Sequence, residues 1–121
     1  RTLVRFGALA LSELERSLNK NITQQLSEAI DAIGFICFYD CKPQVFEKLK
    51  LCYSKNSQNN LIRWKIMRAM GSFLESESFL NKQRQIIHNE RLQKEIDRSL
   101  LLLKNHGAIK KKNEGFQYES K

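Results

Sequence analysis

A chain of 121 residues, 41% of them hydrophobic, is of single-domain size and can bury a core of its own without a disulfide or a structural metal. Its 21 lysines and arginines against 13 aspartates and glutamates leave a net charge of +8, a balance that favours anionic partners but says nothing about fold. Three cysteines, Cys37, Cys41 and Cys52, form no disulfide framework and fit a reducing, cytoplasmic compartment. The longest apolar run, residues 32–39, is far too short to cross a bilayer, so no membrane insertion is expected.

Apolar residues recur at helical spacing almost throughout and no segment alternates with period two, so the chain reads as all-α. A first helix is expected over about 2–18, with Leu3, Gly7, Ala10, Leu14 and Leu18 in line. A second covers about 22–39, with Asn21 as N-cap and Gln24 placed as in a capping box. The third starts at Pro43, whose fixed φ suits the first helical position, and runs to about Tyr53 through Val45, Leu49 and Cys52. The polar run at 54–60 ends it. Asn60 caps a fourth helix over 61–75, Ser76 or Ser78 a fifth reaching His88, and Asn89 a sixth that Gly107 closes as a left-handed stop. That makes six helices in three hairpins over residues 1–107, with 108–121 as a polar basic tail. Because Arg1 stands first and apolar pattern begins by Leu3, the chain is expected to be a piece of a longer protein.

Three segments, 25–36, 61–73 and 91–103, can be laid over one another at offsets of 37 and 30 residues. The first offset puts Ala29 on Ile66, Ala32 on Ala69, Ile33 on Met70 and Gly34 on Gly71; the second puts Ile62 on Leu92 and Ile66 on Ile96. Periods of this length mark stacked helical hairpins, each too small to bury its apolar face alone. The small residues at Ala32–Gly34 and Ala69–Gly71 would let neighbouring helices approach closely.

Within this pattern Leu61–Gly71 (LIRWKIMRAMG) resembles the second helix of a HEAT-like repeat of the phycobilisome-lyase type. The likeness lies in the aliphatic-Arg pair Ile62-Arg63, the aromatic Trp64 and the Ala69-Met70-Gly71 close. Ala32-Ile33-Gly34 ends the second helix in the same way, and Val4-Arg5-Phe6 echoes the opening. The third unit departs, with Leu101 in place of the glycine and Leu92-Gln93 in place of the pair, as suits a terminal, capping repeat. The resemblance implies a right-handed α-α superhelix, a HEAT/armadillo-like solenoid whose second, fourth and sixth helices line a concave wall. It also implies that Arg63 makes a structural bond between the helices of its hairpin.

The same offsets align the remaining positions of those helices into two rows, Ser27, Trp64 and Lys94 in one and Asp31, Arg68 and Arg98 in the other. The rows lie four residues apart in each helix and so share a face. Trp and Arg are the residues most often found at binding hot spots, which makes these six the candidate partner-binding set. The competing structural account has Trp64 folding back over a neighbouring helix while Arg68 pairs with Asp31 or Asp97. Lys110, Lys111 and Lys112 are candidate phosphate contacts that would hold a backbone without reading sequence.

No catalytic constellation, cofactor loop or metal set is legible. Cys37 and Cys41 lie four apart, but His88 and His106 are far along the chain and suit helix C-termini better than a metal. The expected function is therefore a non-catalytic scaffold that binds a protein or peptide on its concave face. The alternative is a solenoid binding nucleic-acid backbone, related to DNA-alkylation-repair HEAT-like proteins. That family sets aromatics and a catalytic Asp on its wall, whereas here Ser27 and not an aromatic precedes Asp31 by one turn. A lyase accessory of the phycobilisome type is a third option, resting on the repeat alone. Whether the rows form one positive stripe or a mixed, apolar-centred patch separates the first two.

Overall fold

The computed structural model describes the backbone of residues 2–19, 21–39 and 42–119, and side chains within 10–19, 21–38 and 42–105. Six α-helices follow one another: α1 (Thr2–Ser17), α2 (Thr23–Tyr39), α3 (Pro43–Lys55), α4 (Asn60–Met70), α5 (Glu77–Ile86) and α6 (Glu90–Glu119), with a 3₁₀ turn, Leu74–Ser76, before α5.

Their ends show local chemistry at work. Pro43 opens α3, and the backbone N–H of Asn56 closes it on the carbonyls of Cys52 and Tyr53. Asn59, not Asn60, caps α4: its extended backbone lets the side chain accept the Ile62 N–H at 3.2 Å. Asn89 does the same for α6, accepting the Leu92 N–H at 3.1 Å. The capping box expected around Asn21 is not made, since α2 opens at Thr23 with the Ile22 carbonyl taking the Leu26 N–H, and Gln24 bonds Glu28. Helix α4 stops at Met70, short of the expected end, because Phe73 turns extended to bury its ring. Ser76 holds that turn by donating to the Met70 and Phe73 carbonyls, both at 2.7 Å. Ile87 is likewise extended and buried, which leaves His88 in a loop beyond α5.

The largest departure is at Gly107, where the expected stop is not made. Helix α6 passes through it to Glu119, and no described glycine has positive φ. A helical glycine costs only about 1 kcal/mol, and the neighbours Leu103, Lys104, Ala108 and Lys110–Lys112 are good helix formers. The side chains of His106 and of the candidate phosphate contacts Lys110, Lys111 and Lys112 lie outside the described residues, as does Cys41.

Helix α4 packs between α2 and α6, while α1 packs on α2, α3 on α4 and α5 on α6. The preceding helices also meet one another through side chains. Lys48 of α3 reaches Glu15 of α1 at 3.5 Å, and Phe46 and Tyr53 of α3 set their rings edge-on to Phe79 of α5. Between the two sets lies one core of Ile30, Ile33, Leu49, Ile62, Ile66, Met67, Met70, Phe73, Leu80, Leu92 and Ile96, all essentially inaccessible to solvent. Positions equivalent by repeat offset share this core: Ala29 and Ile66, Ile33 and Met70, Ile62 and Leu92, Ile66 and Ile96.

Arg63 occupies the structural position expected of it. Its guanidinium donates to the Tyr53 hydroxyl at 3.2 Å and lies over that ring, tying α3 to α4, while the hydroxyl donates onward to Gln83 of α5 at 3.0 Å.

Candidate functional site

The joints between α2, α4 and α6 are built twice on one plan. A small residue lets the backbones close up, and a serine in or just after the later helix ties them. At the first joint a Cβ on Gly34 would lie 3.2 Å from both Cα and Cβ of Ala69, and the Ser72 hydroxyl donates to the Gly34 carbonyl. At the second, a Cβ on Gly71 would lie 3.1 Å from Leu102 Cδ2, and Ser99 donates to the Met67 carbonyl at 2.7 Å.

Because each helix spends its apolar stripe on the core, residues one step around the helix line a shared groove of about 450 Å³ across these joints. Asp31, Phe35 and Phe38 of α2, Arg68 of α4, and Glu95, Arg98 and Leu102 of α6 form its walls, with Gly34, Ala69, Ser72 and Ser99 as its floor. One end is apolar: Phe35 is 71% exposed and Leu102 40% exposed. The other end is charged.

The second row of the expected set therefore comes together, since Asp31, Arg68 and Arg98 all line this groove. Their pairing differs from the expected one. Asp31 of α2 takes Lys65 of α4 at 2.6 Å and Asp97 of α6 takes Arg84 of α5, because each carboxylate faces a neighbouring helix that presents a cation. Arg68 instead lays its guanidinium over Trp64, and Arg98 has no carboxylate partner among the described residues.

The first row does not assemble. Ser27 is buried in the α2 interface, and Lys94 points outward to Glu90 at 3.5 Å. Trp64 is half-buried against the core, and Lys65, Arg68 and Arg91 approach its ring at 5.1–5.7 Å. Such stacking on an indole face is favourable at about 0.5–2 kcal/mol for each cation. Arg91, not Lys94, is the α6 residue that meets the indole, because it lies one step round the helix toward α4.

Sequence reasoning missed Phe35, Phe38, Leu102 and Glu95. The run at 32–39 carries more apolar residues than one buried stripe can use, and that surplus signals the two phenylalanines. Glu95 sits inside the buried stripe Leu92, Ile96, Ser99, Leu103 and is itself only 6% exposed. Its Oε1 is buried with no hydrogen-bond partner.

Among the described residues no group of three His, Cys, Asp or Glu side chains converges as metal ligands would, and no helix is long and apolar enough to cross a membrane. Cys37 and Cys52 are buried thiols. Burial pushes the Cys52 thiol above its ordinary 9.0, against the opposing hydrogen bond from Asn56 and the charge of Lys55. The folded chain thus holds this proton more tightly than the unfolded chain does. The resulting stabilisation is whole below pH 9 and declines as pH rises through the elevated value. Urea melts at pH 8 and pH 10 should show a larger alkaline loss in the wild type than in Cys52→Ala; equal losses would refute the assignment.

The chain matches no protein-family model, and no curated protein or solved structure matches it.

Proposed function

We propose that this chain is a non-catalytic, HEAT-like helical scaffold whose α2–α4–α6 face binds a protein or peptide partner. In this reading the three hairpins stack as an α-α superhelix with that face inside. The observation that carries the reading is the composition of the groove, whose exposed Phe35 and Leu102 adjoin Arg68 and Arg98. An apolar end set against a mixed-charge end with two arginines is the make-up of protein interfaces, whereas nucleic-acid-binding surfaces are more polar and much more positively charged. Two carboxylates, Asp31 and Glu95, on the same walls weigh further against phosphate as the ligand. The contact set becomes Phe35, Arg68, Arg98 and Leu102, with Trp64 holding Arg68 in place from behind.

The test has two arms. Capture of partner from source-cell lysate should fall at least tenfold with Phe35→Ser and with Arg98→Ala, while both variants keep stability within about 0.5 kcal/mol, as exposed substitutions do. In parallel, non-specific duplex is titrated at rising salt. Steep salt-dependent binding whose slope drops by about one in Arg68→Ala and in Arg98→Ala would transfer the face to nucleic acid.

A further inference from the structure

Glu95 is the one feature of the groove that packing alone leaves unaccounted for. It stands in the second turn of α6 between Leu92 and Ser99, within the stripe that faces α4, and it lines the groove beside Arg98. No described side chain donates to it, although Arg68 and Arg98 line the same walls, and its Oε1 is sealed from water. A carboxylate oxygen buried without a donor is a costly arrangement that a methionine or leucine of similar size would avoid. Asp31 on the opposite wall shows the contrast, since it has its lysine at 2.6 Å.

Building on the binding reading above, we infer that Glu95 is the specificity determinant of the groove and that the bound segment supplies its missing donor. The segment is amphipathic and of mixed charge. It carries a lysine or arginine directed at Glu95, an acidic residue about one helical turn away for Arg98 and Arg68, and an apolar side chain seated at the Phe35–Phe38–Leu102 end. The mixed charge follows from the walls: a purely basic segment would meet two arginines, and a purely acidic one would meet Glu95 and Asp31. Pairing inside a largely desolvated groove makes the Glu95 contact selective, because a segment lacking the base leaves the carboxylate buried and unpaired.

The inference is tested by selecting displayed random twelve-residue peptides on the immobilised full chain, then measuring the winners by fluorescence anisotropy against wild type, Phe35→Ser and Glu95→Gln. Peptides whose binding depends on Phe35 should be enriched in Lys or Arg together with Asp or Glu, and should lose at least tenfold in affinity on Glu95→Gln. Replacing the peptide's base by glutamine should weaken binding to wild type but leave binding to Glu95→Gln nearly unchanged. Circular dichroism melts check that both variants fold. Phe35-dependent peptides with no basic enrichment and equal affinity for Glu95→Gln would overturn this inference and leave the binding face intact. If no selected peptide responds to Phe35→Ser, the binding face itself is refuted, and this inference with it.

Discussion

Phe73→Ala is expected to destabilise the chain by about 3–5 kcal/mol, the range for truncating a fully buried aromatic. Phe73 is the largest side chain with no exposed surface, and its ring stands 5.9 Å from that of Phe46. It follows the end of α4 in extended conformation, at the point where α3, α4 and the turn into α5 meet. The Ser76 hydroxyl, its one proton shared between the buried Met70 and Phe73 carbonyls, holds the turn, so the backbone cannot easily collapse into the void. Small domains are stable by only about 5–15 kcal/mol, so the loss is a large share of the total. Urea denaturation measures it, and a loss below about 1 kcal/mol would mean that the turn is not packed as described.

Gly34→Leu is expected to cost about 1–3 kcal/mol and to cost more than Gly71→Leu. Both glycines sit where two of the stacked helices touch, and the repeat alignment treats them as equivalent. Their neighbours are not equivalent. At Gly34 an added Cβ meets the backbone Cα of Ala69, which can move only if all of α4 moves and the Ser72 bond to Gly34 is stretched. At Gly71 it meets the terminal Cδ2 of Leu102, a side chain exposed enough to swing aside, and the Ser99 hydroxyl at 3.3 Å, which must give by only a few tenths of an ångström. Paired denaturant melts of the two variants give the order directly. Equal costs would show that the α2–α4 joint is looser than its 3.2 Å approach implies.

The helix count and much of the core could be read from residue spacing, but not Phe73 and Ile87, which are buried from extended turns. Ile62, Ile66 and Met70, or Leu92, Ile96 and Ser99, recur at three and four residues, and only a helix brings them to one side. The caps of α4 and α6 were legible to within one residue, as Asn59 and Asn60 illustrate, because two adjacent asparagines offer the same chemistry and only backbone geometry selects between them; the Asn21 box is not made and Ser76 makes no side-chain cap bond. Gly107 was misread for a related reason: glycine permits a left-handed stop without requiring one.

The candidate site divides along the same line. Repeat offsets put Asp31, Arg68 and Arg98 at equivalent positions, and all three line one groove because α4 packs against both α2 and α6. Partner choice was settled by tertiary structure. The rotation of α6 against α4 set Arg91 on Trp64 and turned Lys94 away, and the helix joints gave Asp31 to Lys65 and Asp97 to Arg84. It was also tertiary packing that left Glu95 Oε1 buried with no donor among the described residues while leaving Phe35 exposed. Periodicity places a residue on a face to within about one step around the helix, and one such step, roughly 100°, separates a buried side chain from a solvated one.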